Sequence, residues 1–274
     1  MEGEDMVGKE ALNTQYWQEL QDKSALAGIT LDSSISPADF RIYGDRLAQR
    51  QIEMFQRYGQ YPLSQSTVID LGCGLGRVSL PFSRVFASVT AIDINRRILD
   101  AGRTYCADAT NIVFIENDGA TIPLPSSSVE YCYCGGVLQH IKVLSVILDY
   151  FREGLRILKP GGLLNYSIQT WMDDIVSGNN IGKRITANDL NKVLSEFDCE
   201  ALALIEDPKD PVPHLNVVIL KKSDEFLAST VQAQLRDTLL VRQDVRTGIW
   251  EDLPSYQKFA RLWAGPRKNV TFWS

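Results

Sequence analysis

Val68-Ile69-Asp70-Leu71-Gly72-Cys73-Gly74-Leu75-Gly76-Arg77 decides how this chain is read. An apolar run that closes on an acid has the character of a buried strand. The three alternating glycines then allow a sharp turn in which the main chain comes close to a bound small molecule. Arg77-Val78-Ser79-Leu80 begins a helical pattern, so the turn is expected between a strand's C-terminal end and a helix starting at residue 76. Open α/β sheets bind their ligands at such places. Val89-Thr90-Ala91-Ile92-Asp93 repeats the theme, a second run ending in an acid that suits a ribose diol.

A nicotinamide or flavin fingerprint competes for the same residues. It needs glycine at the first, third and sixth positions so that a pyrophosphate fits against the helix start. Here the glycines fall at one, three and five, and the sixth position is Arg77. Both readings predict the acid at 93, so later motifs must decide.

Those motifs are Asp70-Leu-Gly-Cys-Gly-Leu-Gly76, Ala91-Ile-Asp93-Ile94, Asn117-Asp118-Gly119-Ala-Thr-Ile-Pro123, Cys134-Gly-Gly-Val-Leu-Gln-His140-Ile and Leu158-Lys-Pro-Gly-Gly162. In this order and spacing the chain resembles class I S-adenosylmethionine-dependent methyltransferases, closely over residues 66–170 and less so on either side. The resemblance implies S-adenosyl-L-methionine as cofactor and S-adenosyl-L-homocysteine as product. No Asn-Pro-Pro-Tyr or Asp-Pro-Pro-Tyr follows the fourth strand, and no Pro-Cys pair, which is unlike enzymes that methylate nucleic-acid bases. Cys134-Gly-Gly lacks the aspartate of the similar aminopropyl transferases. The small-molecule branch is the nearest likeness.

Periodicity and breakers set the organisation. Residues 10–60 read as helical pieces interrupted around Gly28 to Pro37, and Pro37-Ala-Asp-Phe40 opens a helix toward Tyr58 that Gly59-Gln-Tyr-Pro62 ends. Strands are expected at 67–71, 88–93, 111–115, 129–134, 162–170, 198–206 and 213–221, with helices from 76, at 95–106, 142–158 and 186–196. Strands separated by helices imply right-handed crossovers and a parallel sheet. The last two strands, joined by the Pro208–Pro213 turn, should pair antiparallel. The expected fold is α/β: a Rossmann-like seven-stranded, mostly parallel sheet with an antiparallel edge hairpin and helices on both faces. Three parts are expected: 1–62 as a helical cap or lid, 63–222 as the catalytic domain, and 223–274 as a helical extension packing three of the five tryptophans onto the core. A substrate-pocket wall or a homodimer contact are its alternative uses. Pro81 lies near a helix start, where a missing N–H costs least.

Composition bounds the rest. A chain of 274 residues with 45% apolar residues can bury a full core. No run approaches the roughly 18 apolar residues of a membrane span, and the acidic start Met1-Glu-Gly-Glu-Asp5 is unlike a secretory signal. A net charge of −6 without a basic stripe argues against nucleic acid as partner. Cysteines 73, 106, 132, 134 and 199 form no disulfide-like or metal-ligand pattern, so no metal and a cytoplasmic location are expected.

The resemblance then assigns roles. Gly72, Cys73, Gly74 and Gly76 carry the turn that cradles the donor, with amides of the following helix N-terminus offered to its carboxylate. Asp70 faces the donor's ammonium, Asp93 its ribose and Ile94 one adenine face. Asp118 and Gly119 meet the adenine amine, while Cys134 and Gly135 present main-chain carbonyl to the ammonium. Arg41 is a second candidate for the carboxylate. Tyr43, Trp171 and Met172 are expected to line the acceptor space. His140, one of two histidines, is the candidate base for a protonated acceptor, and His214 reads as structural. The expected function is methyl transfer to oxygen or nitrogen of a small-molecule metabolite or natural product. A catalytically silent donor-binding module, or an enzyme with a protein or peptide acceptor, are the alternatives.

Overall fold

A computed structural model describes residues 36–168, 185, 187–206 and 215–222. The segment before Ser36, Trp171, Met172, the Pro208–Pro213 turn, His214 and the expected extension 223–274 lie outside the described residues.

Seven strands form one sheet: β1 (Thr67–Leu71), β2 (Ser88–Asp93), β3 (Ile112–Glu116), β4 (Val129–Cys134), β5 (Leu158–Ile168), β6 (Cys199–Glu206) and β7 (Leu215–Lys221), in the order β3-β2-β1-β4-β5-β7-β6. The first five pair in parallel, and β7 runs antiparallel to both β5 and β6. The strand order reverses between β1 and β4, and the carboxyl ends of strands at such a switch point are where open α/β sheets bind their ligands. Central β1 and β4 are buried on both faces, which is why both read as nearly continuous apolar runs.

Among the described residues, five helices flank the sheet: α1 (Pro37–Tyr58), α2 (Ser79–Phe82), α3 (Arg96–Tyr105), α4 (Leu144–Ile157) and α5 (Ala187–Leu194). On one face α1 sets Ala48, Ile52, Phe55 and Tyr58 against Val68, Tyr131, Tyr133, Phe82 and Phe86. On the other, α4 packs Ile147, Leu148, Phe151 and Leu155 against Ile69, Leu71, Cys132 and Leu164. Side chains of this size contribute about 2 kcal/mol each by leaving water.

Local chemistry explains the boundaries. Ser36 caps α1 by accepting the amide of Asp39 at 3.1 Å, ahead of Pro37 at the first helical position. Gly59 ends α1 in extended backbone, not in the left-handed cap that a terminal glycine suggests. A Cβ there would lie 2.2 Å from the Tyr131 hydroxyl, so close approach is what requires the glycine. Within the sheet, the amide of buried Asn165 on β5 donates to the Gln51 side chain, pinning α1 to the sheet's centre.

Two expected boundaries need correction. The helix expected from residue 76 is regular only over Ser79–Phe82. Pro81 has no N–H to return to the carbonyl of Arg77, so the turn 72–78 passes into a broken helix. β5 begins at Leu158, not 162, because Lys159–Gly162 form a bulge opposite Val129–Tyr131, with Gly161 at φ +84°.

Candidate functional site

The glycine turn adopts the conformation its sequence demands. Gly72, Gly74 and Gly76 stand at φ +72°, +54° and +80°. The amides of Gly72 and Cys73 both donate to the carbonyl of Ile92, at 2.7 and 2.9 Å, so the turn hangs from the end of β2. A Cβ on Gly72 would sit 2.1 Å from a methyl of Val137, which arrives on the loop after β4. A Cβ on Gly76 would sit 2.8 Å from the Cys106 sulfur.

Two acids mark neighbouring strand tips. Asp93 accepts the amide of Gly74 through Oδ2 at 2.9 Å and that of Asn95 through Oδ1 at 3.0 Å. Burial pushes its carboxyl above the ordinary value, and the Gly74 and Asn95 amides pull it back. Asn95 then caps α3, its side chain accepting from Arg97 and Ile98. Asp70, wholly buried at the end of β1, accepts the Ser79 hydroxyl at 2.5 Å. Burial raises its carboxyl to about 6 against the opposing pull of Ser79 and the Arg77 charge. The Cys73 and Cys134 thiols are pushed well above their ordinary range by burial, which disfavours the thiolate form.

Above the turn lies the N-terminal half of α1. Phe40 is fully buried against Leu75 and Ile98 and meets Tyr105 edge-on at 5.6 Å. The Arg77 guanidinium lies 5.4 Å from the Phe40 ring centre and 4.7 Å from that of Tyr43. Its Nε and Nη1 are buried without a hydrogen-bond partner. Gly44 makes the approach possible, because a Cβ there would overlap the Arg77 carbonyl oxygen at 2.4 Å and Cγ at 2.5 Å. The same helix thus closes over the turn with its first half and builds the core with its second.

Other expected residues fall around this centre. Ile94 is half-buried beside Asp93. Asp118 is exposed and turned into its own loop, accepting the amides of Ala120 and Thr121 and the Thr121 hydroxyl, with Gly119 at φ +86°. Cys134 ends β4 with a buried side chain, and Gly135 follows where a Cβ would collide with the Tyr133 hydroxyl. His140 closes the short 3-10 turn Leu138–His140 and is half-buried. Arg41 is exposed, its guanidinium 5.7 Å from the Tyr105 ring centre, and Tyr43 is 47% exposed over Arg77.

Sequence reasoning missed the Ser79–Asp70 bond, the packing of Val137 on Gly72, and the Arg77–Phe40–Tyr43 stack. A serine nine residues after an acid and an arginine closing a glycine turn carry no pattern of their own. Asn95 ahead of Arg96 could have been read as a cap.

Residues 69–165 match the family described as a methyltransferase domain. The chain is 29% identical over 99 residues to demethylmenaquinone methyltransferase of Staphylococcus aureus, covering 35% of this chain and 40% of that protein. It thus spans about two fifths of the curated relative it matches. Phosphoethanolamine N-methyltransferase 1 of Haemonchus contortus superposes with a TM-score of 0.59 at 13% identity, over 86% of this chain and 53% of that one. Magnesium protoporphyrin IX methyltransferase of Synechocystis superposes at 0.57 and 14% identity, over 80% of this chain and 100% of that one. Over residues 69–165 the chain is thus similar to S-adenosylmethionine-dependent methyltransferases, in sequence and in fold.

Proposed function

We propose that this protein transfers a methyl group from S-adenosyl-L-methionine to oxygen or nitrogen of a small-molecule acceptor, leaving S-adenosyl-L-homocysteine. One observation carries the reading: a buried acid, Asp70, and a half-buried one, Asp93, stand at neighbouring strand tips beside a turn whose Gly74 amide is tied to the second of them. Asp70, buried with a side-chain hydroxyl for company, suits an ammonium group. Asp93 retains lone pairs beyond its two amides, enough for a ribose diol. Ile94 would cover an adenine face, and Asp118 with Gly119 would edge the ring.

Bound there, the donor supplies a methyl group on a positively charged sulfur. Charge disperses during such a displacement, so the chain's task is alignment and exclusion of water, which is worth several kcal/mol. Phe40 and the first half of α1 close over the turn, while Val137 holds Gly72 in register. His140, on the β4 exit, is the proposed proton acceptor where the acceptor's heteroatom is protonated.

The acceptor class is supported by relatives whose named acceptors are demethylmenaquinone, phosphoethanolamine and magnesium protoporphyrin IX, small molecules all. No described helix is long and apolar enough to cross a membrane. All five cysteines are free, in keeping with a reducing cytoplasm.

Calorimetry with S-adenosyl-L-methionine tests the donor, with binding expected in the wild type. Labelled methyl transfer into an extract separated into metabolites and protein tests the acceptor. Label in metabolites supports the proposal; label confined to protein moves it to a peptide acceptor. Binding without transfer makes the protein a silent module, and absence of binding ends the reading.

A further inference from the structure

We propose that Gln139 orients the methyl acceptor: its carboxamide oxygen takes a hydrogen bond from an O–H or N–H of the acceptor, over the open side of Gly136 at the exit of β4. Resting on the methyl-transfer reading above, this commits the acceptor to a molecule with a hydrogen-bond donor near the atom that is methylated.

Two independent observations meet at this side chain. Gln139 is half-buried, yet its Oε1 is buried and has no hydrogen-bond partner. An amide oxygen left unmade costs stability that an apolar side chain of the same length would not cost. The second observation is space. Gly136 is exposed at φ +74°. Among the described residues outside its chain neighbours, a Cβ there would come within 4 Å of Gln139 Nε2 alone, at 4.0 Å. Glycines nearby are packed shut: a Cβ on Gly135 would lie 1.9 Å from the Tyr133 hydroxyl, and one on Gly72 would lie 2.1 Å from Val137. The main chain at 136 is therefore open to an approaching molecule, and the Gln139 carboxamide walls that opening.

The segment is held on both sides. Val137 packs on Gly72 of the glycine turn, Leu138 is buried in the core, and His140 ends the same 3-10 turn. Gln139 thus stands between the support of the donor turn and the proposed proton acceptor. Asn165 differs: its Oδ1 is also buried without a partner, but the residue is 0% exposed and its amide is engaged by Gln51 beneath α1. That oxygen is sealed between helix and sheet, whereas Gln139 adjoins an opening. A carboxamide there discriminates, because an acceptor lacking O–H or N–H leaves Oε1 unpaired when it binds. It carries no charge, so it orients the acceptor without competing with His140 for the proton.

Wild type, Gln139→Met and Gln139→Glu are compared in three measurements. These are labelled methyl transfer from S-adenosyl-L-methionine into the metabolite fraction of an extract, S-adenosyl-L-homocysteine affinity by calorimetry, and thermal melts. Methionine keeps the length of glutamine without its amide oxygen, and glutamate keeps an oxygen in place. Gln139→Met is expected to melt at or above the wild-type temperature and to bind S-adenosyl-L-homocysteine within about twofold. Its transfer should be slower by about 10- to 100-fold, with Gln139→Glu recovering part of the loss. Unchanged transfer in Gln139→Met, or transfer lost together with stability and S-adenosyl-L-homocysteine affinity, overturns the proposal while the methyl-transfer reading stands. Absence of recovery in Gln139→Glu overturns the assignment to the oxygen. Should Gln139→Met not fold, the folded Gln139→Asn, one methylene shorter, decides: wild-type transfer there overturns the proposal. A wild type that binds no S-adenosyl-L-homocysteine, or labels no metabolite, overturns the methyl-transfer reading and this inference with it.

Discussion

The tips of β1 and β2 are adjacent, parallel and both acidic, yet the protein treats them differently. Asp93 is embraced by two main-chain amides, Gly74 and Asn95, and through them it fixes the glycine turn and the start of α3. Asp70 accepts a serine hydroxyl, lies wholly buried, and is held near 6. One acid is a joint of the scaffold that has capacity to spare. The other is buried with a single hydroxyl as its side-chain partner. Burial raises both acids, opposed at Asp93 by the Gly74 and Asn95 amides and at Asp70 by the Ser79 hydroxyl and the Arg77 charge.

The largest expected effect comes from breaking the joint. Asp93→Asn turns an acceptor on two amides into a group with one oxygen and one NH2, so one amide meets another donor. Charged hydrogen bonds contribute about 1.5–3 kcal/mol each, so donor affinity measured by calorimetry should fall at least about 100-fold. The melting temperature should fall too, because the turn loses an anchor. If affinity drops with the melt unchanged, Asp93 is a ligand contact alone and the contrast between the tips is false.

Next is the turn itself. Gly72→Ala places a side chain at φ +72° and against Val137 at 2.1 Å. Left-handed strain and overpacking cost about 1–3 kcal/mol each, so a loss of about 2–4 kcal/mol is expected in chemical denaturation. Val137→Ala added to it should return the overpacking share, about 1–2 kcal/mol, and leave the backbone strain. Full recovery would show that the positive φ carries no cost.

A smaller effect has a definite sign with pH. Asp70 binds its proton more tightly folded, near 6, than unfolded, near 3.8, so between these values the folded state holds more protons. Stability contributed by this group is therefore greatest below about 4 and declines as pH rises toward 6. The stability of Asp70→Asn minus that of wild type should grow from pH 4 to pH 7 by on the order of 2–3 kcal/mol, whatever its starting offset. Donor binding should run the other way. A bound ammonium needs the ionised acid, so wild-type affinity should weaken as pH falls below about 6.

How much of this was written in the chain follows from the same contrast. Repeated apolar runs ending in acids gave the strand tips, because a parallel sheet buried on both faces leaves little choice of residue there. Positive φ at 72, 74 and 76 was legible because glycine alone takes it cheaply. The Ser79 bond, Val137 on Gly72 and the Arg77 stack were not, since each joins segments brought together by folding. The helix after the turn was overread because Pro81, credited with a small cost near a helix start, instead truncates it to Ser79–Phe82. Asp118 kept the turn role that an Asn-Asp-Gly loop gives it locally.

Ser79→Ala makes the finest cut between the two tips. It removes one hydroxyl in a fully buried place, and the Ser79 amide continues to face Asp70. The fold should lose about 1 kcal/mol. The hydroxyl favours the ionised acid, so removing it should lift the Asp70 carboxyl further. The pH at which donor affinity begins to fail should rise with it, from about 6 toward neutrality, while affinity at pH 8 stays within a few-fold of wild type. A pH midpoint unmoved in Ser79→Ala would mean that the serine merely fills space, and that Asp70 owes its poise to the Arg77 charge.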